Sequence, residues 1–451
     1  MRYSSWGRDS SIMQHNTRRR THRSTIVHIA IAVLCTTLAV VGCKDITSLK
    51  QQDPGQLSGE TVFVPANAQL IVNGVIADFE CAYTRYVVGT GVFTDELTNA
   101  IARIEDFQLD RRELPTNSFY GTNDCVGVQL PGIYTPLSVS RASADTAAAA
   151  LEGWTDEQVP NRQQLIATSY AYGGYSITLL GESMCSAAIN LGPELTDAQL
   201  FAEAITRFDK AVTAATTAGD NTMLNFALLG RARAKLDAGD LAGAAADAQL
   251  VPDGFLVQTS SDVTNDRRQN AVWNSTIASF FSTVDTSFQR SYATDHDPRI
   301  ANTNTGHAGT TGDTVYFANK DATASAPIAI AKWSEAQLII AENDVATSNV
   351  PGAILIINEL RRRAYGDLPG NTDHAYTGAA TPTAVKAQIL EERRREFFLE
   401  GHRLGDLRHY NLPFLPAPGA PYGAGGTYGS QTCFPLPDIE RINNPNIGGT
   451  G

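Results

Sequence analysis

Residues 391–411 read EERRREFFLEGHRLGDLRHYN, a run of charged residues set directly beside large apolar side chains. A helix is expected to begin ahead of this stretch, because Thr381 is a typical N-cap and Pro382 fits the first helical position. Gly401 is a typical helix stop and predicts a second, shorter helix after it. Charged groups packed against apolar groups are costly unless they are paired. The stretch therefore predicts a packed ion-pair cluster that ties two helices together, rather than a solvated charged face.

The predicted ion-pair cluster draws on both helices. Glu391 lies four residues before Arg395, and Arg393 lies three residues before Glu396, so opposite charges can pair along the first helix. We expect the cluster to stabilise the fold and to take no part in ligand chemistry. Its six assigned residues are Glu392, Arg393, Glu396, Glu400, Arg403 and Asp406.

The composition of the 451-residue chain is that of a globular protein, with 43% hydrophobic and 18% charged residues. Its formal net charge is −12 at pH 7, and an acidic surface repels phosphate backbones, so nucleic acid is not an expected partner. The sequence has no GxSxG, HExxH or P-loop motif and no metal-ligand spacing, so neither a cofactor nor a metal is expected. The glycine-rich stretch 423–430 follows several prolines and predicts a turn-rich surface loop.

The chain opens with an export signal. Arginines precede the uncharged, mostly apolar run Thr25–Val41, as in a secretory signal. The run ends in Val40-Val41-Gly42-Cys43, and small residues followed at once by Cys resemble a bacterial lipobox. The alternative is an ordinary signal peptide with an incidental Cys. The predicted parts are a signal peptide (1–42), a palmitate-bearing Cys43 with a flexible tether (43–60) and a single domain (61–451).

Apolar periodicity predicts helices through most of the mature chain, among them 66–90 and a more polar helix at 95–110. Further along, two helix–turn–helix stretches carry small residues at matching offsets. Ala232 and Ala244 are twelve residues apart across a turn. The second stretch repeats this spacing with Ala341 and Ala353. Small residues at such offsets let two helices approach closely, which resembles the tetratricopeptide hairpin.

The segment between the two hairpins, about 253–327, is rich in Gly, Thr, Ser, Asn and Asp and shows little periodicity. A loop this long inside a compact domain is usually functional or disordered, and its aromatic residues favour order. The sequence thus predicts an all-α dominated fold, a tetratricopeptide-like scaffold of helical hairpins with an irregular, aromatic-containing loop insertion. The aromatic residues expected to bind ligand, chosen by loop position, are Tyr120, Trp273, Tyr292 and Tyr316.

Four cysteines remain in the chain after Cys43. Export implies an oxidising compartment, where they could form two disulfides in any of three connectivities. Buried free thiols are the alternative. The four residues are Cys81, Cys125, Cys185 and Cys433.

The charged stretch also resembles the C-terminal signature of the SusD/RagB-like family of outer-membrane nutrient-binding lipoproteins. Leu404 stands where the family usually has an aromatic residue. The matching residues are Glu392-Arg393, Glu396, Phe398, Glu400-Gly401, Arg403 and Asp406-Leu407-Arg408. Other matches follow in the family's order at Asp297-Pro298-Arg299, Trp333-Ser334-Glu335-Ala336, Ala341-Glu342, Asn358 to Ala364, and a tail from Pro435 to Asn446.

This resemblance implies a lipid-anchored outer-membrane protein, exposed at the cell surface, that is not an enzyme. Such proteins capture nutrient oligomers, here expected to be oligosaccharides, for a partner TonB-dependent (SusC-like) transporter. Two alternatives stay open: a surface or periplasmic hydrolase lipoprotein, and a tetratricopeptide-type assembly lipoprotein that binds only proteins. Ligand sites vary within the family, so no binding residue transfers from a motif.

Overall fold

The structure is a computed structural model that describes residues 59–125, 131–366 and 374–447. The predicted signal peptide, Cys43 and nearly all of the predicted tether lie outside these residues. A helical turn, Gly59–Val62 (α1), belongs to one unit with the chain before it, and the elements below belong to the unit that begins at Phe63. No helix in the described ranges is both long and apolar enough to cross a membrane.

Helices make up most of this second unit, as predicted. Their bounds are α2 (Ala68–Phe93), α3 (Ile104–Asp110), α4 (Phe119–Thr122), α5 (Tyr134–Glu152), α6 (Arg162–Ser183), α7 (Asp197–Ala218), α8 (Asn221–Asp237), α9 (Leu241–Ala248), α10 (Ala271–Trp273), α11 (Thr286–Asp295), α12 (Trp333–Ala346), α13 (Val350–Tyr365), α14 (Pro382–Glu396), α15 (Arg403–His409) and α16 (Asp438–Asn443).

Side-chain caps fix where several helices begin. α7 starts with a capping box, in which Thr196 accepts from the backbone N–H of Gln199 and the Gln199 side chain accepts from the N–H of Thr196. At α14 the Thr381 hydroxyl accepts from the N–H of Ala384, and Pro382 occupies the first position. The start that the sequence predicts for this helix is therefore confirmed.

The long helices pack on one another in chain order. α5 contacts both α2 and α6, and the contacts continue through α7, α8 and α9. α9 then packs against α12, although the insertion separates the two helices in sequence, and α12 packs on α13 and α14. The alanines at the matched offsets in α8, α9, α12 and α13 are fully buried where these helices meet. The predicted scaffold of helical hairpins with an insertion between them is confirmed.

The described strands are short and pair in four two-stranded antiparallel sheets: β1–β5, β2–β3, β4–β8 and β6–β7. Their bounds are β1 (Leu97–Asn99), β2 (Ala187–Ala188), β3 (Glu194–Leu195), β4 (Leu256–Gln258), β5 (Ser282–Val284), β6 (Asn302–Ala308), β7 (Thr314–Ala318) and β8 (Ala329–Lys332).

The stretch 95–110 differs from its prediction. Only α3 is helical there, because β1 pairs with β5 of the insertion and takes Leu97 opposite Val284. This partner lies far away in sequence, so the periodicity of the stretch alone could not reveal it.

Two disulfides join the four cysteines of the described chain. Cys81 in α2 bonds to Cys125, and Cys185, just after α6, bonds to Cys433 near the C-terminus. This is one of the three connectivities that the sequence left open, and the alternative of buried free thiols is wrong.

The charged stretch forms buried ion pairs that reach into several parts of the fold. The fully buried carboxylate of Glu392 accepts from Arg299 of the insertion at 2.8 Å and from Arg361 of α13 at 2.7 Å. Glu396 faces Lys332 and Arg299. Burial alone would raise the pKa of Glu396, but these two cations lower it to about 2.

The remaining members of the cluster join α14 and α15 to the scaffold. Arg393 does not pair with Glu396 as the spacing suggested, because it faces inward and donates to Asp406 of α15 at 2.6 Å. Glu400 contacts Lys332 at 2.7 Å, and the Nη2 of Arg403 donates to the buried Asp95 at 2.9 Å. The half-buried pair Glu391–Arg395 does form, at 2.7 Å.

Replacing Arg403 tests whether this cluster holds the fold. Among the described residues, Arg403→Ala leaves the buried Asp95 with Arg394, 3.6 Å away, as the one cation within ion-pair distance. The free energy of unfolding should fall by about 3 kcal/mol, the lower end of what a broken buried pair costs. Urea denaturation measures the change.

The matched control is Arg362→Ala, which removes a surface arginine whose pair with Glu359 is exposed on both sides. It should cost less than about 1 kcal/mol. Equal losses for the two variants would show that the cluster is no more than a surface feature.

Candidate functional site

A cavity of about 760 Å³ opens where the insertion meets the segments around β1 and the C-terminal part of the chain. One side is formed by β1, the loop after it and α3. A second side comes from the insertion, through β5, the start of α11 and the turn between β6 and β7. The third side is a loop that we call the C-terminal hairpin, residues 419–428.

The insertion side is tied together by one buried hydroxyl. β1 and β5 pair with Thr98 opposite Thr283. The Thr283 hydroxyl accepts from the N–H of Tyr316 at 2.9 Å and donates to the carbonyl of Thr314 at 3.2 Å. β7 is thereby fixed to β5, and Tyr316 is placed in the cavity wall.

The turn between β6 and β7 docks onto the loop after β1. The N–H of Ala102 donates to the hydroxyl of Thr310 at 2.7 Å, and the N–H of Thr311 donates to the carbonyl of Ala100 at 3.2 Å. A Cβ on Gly309 would lie 2.1 Å from the Ala100 carbonyl oxygen, so only glycine allows this approach. The cavity wall therefore depends on contacts between segments about 200 residues apart.

The C-terminal hairpin explains the glycine-rich stretch. Its ends pair through backbone hydrogen bonds, for example from the N–H of Tyr428 to the carbonyl of Ala420 at 2.9 Å. At the turn, Gly425 and Gly426 both have positive φ, +99° and +82°, which favours glycine at both positions. The predicted surface loop is thus an ordered hairpin, and it brings Tyr422 and Tyr428 into the cavity lining.

Aromatic side chains form one part of the lining. The rings of Phe107 and Tyr422 meet edge to face, with centroids 5.7 Å apart. Tyr422 and Tyr428 are also perpendicular, at 5.2 Å. The guanidinium of Arg112 lies 5.0 Å from the centroid of Tyr428 and holds that ring from behind the cavity lining. With Tyr316, these rings offer both apolar faces and phenol groups to a ligand.

Neutral hydrogen-bonding groups form the rest of the lining. Among the described residues of the lining, Asp313 is the one that carries a charge, and it is exposed at the turn between β6 and β7. The polar uncharged lining residues are Thr98, Asn99, Thr283, Thr286, Gln289, Thr310, Thr311 and Thr314.

A buried carboxylate lies behind two of the lining residues. Asp110, 4% exposed, accepts through Oδ2 from the backbone N–H of Asn99 and from the phenol of Tyr422, both at 3.0 Å. Burial raises the pKa of Asp110 to about 7, with the two hydrogen bonds opposing it; Asp285 raises it slightly and Arg112 lowers it. Burial and the nearby Asp110 carboxylate also raise the pKa of Tyr422.

Of the four aromatic residues proposed from the sequence, the structure places Tyr316 in the cavity lining. Trp273 and Tyr292 are half-buried elsewhere, with Tyr292 packed against the core and against His296. Tyr120 is fully buried and donates to the carbonyl of Pro435 at 2.8 Å. A ligand has no access to Tyr120 in this structure, because the ring fills the core under the C-terminal tail.

Sequence reasoning missed Phe107, Tyr422 and Tyr428. The sequence predicts a helix around Phe107, as observed, but it does not indicate that this helix lies beside the insertion. A signal for the other two was present: two tyrosines six residues apart bracket a glycine-rich turn, which is the pattern of a hairpin that presents two aromatic side chains.

Residues 259–435 match the model of the SusD family. Solved structures with the same fold include a SusD superfamily protein from Bacteroides thetaiotaomicron, at 14% identity and a TM-score of 0.65, covering 85% of this chain and 99% of that one. A putative sugar-binding protein from Bacteroides vulgatus is similar at 14% identity and a TM-score of 0.64, covering 85% and 98%.

A SusD-like carbohydrate-binding protein from Bacteroides vulgatus shares the fold at 16% identity and a TM-score of 0.61, covering 85% of this chain and 97% of that one. None of the curated protein sequences matches this chain.

The raised pKa of Asp110 predicts how stability depends on pH. Its folded pKa, about 7, lies above the ordinary value of 3.8, so its contribution is present below pH 4 and is lost as the pH rises through 7. Asp110→Asn removes this pH-dependent loss of stability, because an amide does not titrate. The free energy of unfolding of the variant, relative to the parent, should therefore rise between pH 4.5 and 7.5 by up to about 1.4 kcal/mol per pH unit.

Chemical denaturation of both proteins at several pH values measures this difference. Subtracting the parent from the variant at each pH isolates Asp110 from the other titrating groups. A difference that stays constant over the range would contradict the assigned pKa.

Proposed function

We propose that this chain is a SusD/RagB-like protein that captures neutral oligosaccharides in the cavity beside β1, because residues 259–435 match the SusD family model and the fold is that of SusD superfamily structures. The observation that carries the proposal is the lining itself, which combines four aromatic rings with threonine, asparagine and glutamine side chains. Release of the captured sugar to a transporter belongs to the same proposal.

The chemistry of the lining suits a sugar. Pyranose rings present apolar C–H faces, and the rings of Tyr316, Tyr422 and Tyr428 supply flat apolar surfaces for them. Phenol, threonine and amide groups can donate to or accept from the sugar hydroxyls and so fix the orientation of the ligand.

Size and charge narrow the class of ligand. A cavity of about 760 Å³ lies in the upper part of the range typical of small-molecule sites, which leaves room for more than one sugar unit. Asp313 is the one charged side chain among the described lining residues, and the chain carries a formal net charge of −12. Both features oppose uronic acids and sulfated sugars and favour neutral oligosaccharides.

The lining also favours binding over cleavage. Glycoside hydrolysis ordinarily uses two carboxyl groups that flank the scissile bond. In the described part of the cavity wall Asp313 is the one carboxylate, and Asp110 lies buried behind Asn99 and Tyr422. We therefore propose a binding protein that hands on intact oligosaccharides.

Two structural neighbours support this ligand class, because one is described as a putative sugar-binding protein and the other as a SusD-like carbohydrate-binding protein. The remaining parts of the proposal rest on the sequence. We propose a lipid anchor at Cys43 that holds the protein on the cell surface at the outer membrane, and a TonB-dependent (SusC-like) transporter as the partner that receives the sugar.

Isothermal titration calorimetry with a panel of hexasaccharides tests the binding proposal. The panel contains neutral α-glucan, β-glucan, xylan and mannan hexamers, with a galacturonan hexamer as the anionic comparison. At least one neutral hexamer should bind, and the galacturonan should not. Tyr316→Ala and Tyr428→Ala should each weaken binding of that hexamer about tenfold, because each removes one aromatic surface.

Trp273→Ala is the matched control, since it removes an aromatic residue of the insertion that lies outside the described lining. The double variant of Trp273 and Tyr316 should therefore behave like Tyr316→Ala alone. Full affinity in Tyr316→Ala and Tyr428→Ala, or loss in Trp273→Ala of equal size, would place the sugar somewhere else.

Lipidation is tested separately from sugar binding. Cys43→Ser removes the sulfur that would carry the diacylglycerol, so the variant should leave the membrane fraction and incorporate no labelled palmitate. Cys35→Ser, a change within the predicted signal peptide, is the control and should keep both properties. Membrane association of Cys43→Ser with unchanged palmitate labelling would exclude this anchor.

A further inference from the structure

Asp110 occupies an unusual place relative to the cavity. It is buried and absent from the described lining, yet its Oδ2 atom accepts hydrogen bonds from two groups whose residues do line it. One is the backbone N–H of Asn99, which belongs to β1. The other is the phenol of Tyr422, on the C-terminal hairpin, 312 residues along the chain from Asp110. A single carboxylate oxygen thus joins two separate walls of the site.

The phenol of Tyr422 donates to Asp110 and also meets the side chain of Asn99, whereas the other contacts of the C-terminal hairpin involve its backbone and the Tyr422 ring. The N–H of Gly429 donates to the carbonyl of Arg111 at 2.7 Å, and Arg111 donates to the carbonyl of Gly425 at 3.2 Å. These bonds hold the hairpin backbone. Phe107 and the guanidinium of Arg111 meet the Tyr422 ring, but neither contact fixes its rotation as a directional hydrogen bond to the phenol does.

No water competes for a hydrogen bond to a buried carboxyl oxygen, and the bond is stronger still when the carboxyl group is ionised. Losing it would free Tyr422 to rotate and would leave Asp110 without one of its donors. The aromatic surface offered to a sugar would then be present in the cavity but no longer held in one orientation.

We infer that Asp110 is a positioning residue of the oligosaccharide site, which sets the geometry of Tyr422 against β1 without touching the sugar. The inference rests on the proposed function. It makes the affinity of the cavity depend on a residue that lies behind its wall.

The affinity of the tightest-binding neutral hexasaccharide of the panel is the first readout. Asp110→Ala and Tyr422→Phe each break the same hydrogen bond, so each should weaken binding about tenfold, and the double variant should be no weaker than either alone. Asp110→Asn should restore most of the affinity, because its amide oxygen can accept from both donors. Asp106→Ala, which removes another buried carboxylate of α3 outside this lining, is the control and should bind normally.

Hydrogen–deuterium exchange of the full chain without sugar is the second readout. Amides of the C-terminal hairpin should exchange faster in Asp110→Ala and Tyr422→Phe than in the parent, and at the parental rate in Asp110→Asn and Asp106→Ala. Tyr422→Phe changes only one hydroxyl, so it keeps the test decisive if Asp110→Ala does not fold.

The outcomes separate this inference from the proposed function. If no hexasaccharide binds the parent, the proposed function fails, and hairpin exchange alone decides whether Asp110 holds Tyr422. If the parent binds and Tyr316→Ala does not, but Tyr422→Phe binds like the parent, Asp110 has no positioning role and the proposed site stands. Additive losses in the double variant, or no rescue by Asp110→Asn, would likewise overturn the inference.

Discussion

The carboxylate of Glu392 has no access to water, and its negative charge is tolerated because two arginines hold it. Arg299 comes from the insertion, Arg361 comes from α13, and Glu392 itself belongs to α14. A buried carboxylate that lost these partners would be strongly destabilising, so the three segments are obliged to stay together. The scaffold and the insertion are therefore not independent parts. The buried charge of Glu392 therefore helps to fix the position of the insertion, and with it the cavity wall that the insertion contributes.

The cavity is made by a different kind of contact. Its walls meet through backbone hydrogen bonds, a threonine hydroxyl and the carboxylate of Asp110, and its aromatic rings sit on α3, β7 and the C-terminal hairpin. The ion-pair cluster fixes large elements, and these smaller contacts adjust individual side chains. Because the two sets of contacts share no residues, substitutions in the lining would leave the buried charges untouched.

The scaffold could be predicted because its signals are local. Helical periodicity, the cap at Thr381 and the paired alanines of α8 and α9 lie within short stretches of sequence and act through neighbouring turns. The candidate site could not be predicted from the sequence, because strand pairs and hydrogen bonds between residues far apart in sequence bring its parts together. β1 interrupts a stretch with helical periodicity only because β5 pairs with it, and Tyr422 becomes part of the lining through a partner 312 residues away. Loop position alone favoured one aromatic residue ahead of the scaffold and three in the insertion, and it could not separate Tyr316 in the lining from Tyr120 in the core.

The disulfide between Cys185 and Cys433 closes a covalent ring over a sequence separation of 248 residues. Within that ring lie α7 to α15, the whole insertion and the C-terminal hairpin, whereas β1 and α3 lie before it. A single peptide-bond break at an exposed turn inside the ring, such as Gly312, would open the ring without releasing a fragment. Two walls of the cavity would remain covalently attached to the helical scaffold, so a nicked molecule would run as two bands only after reduction.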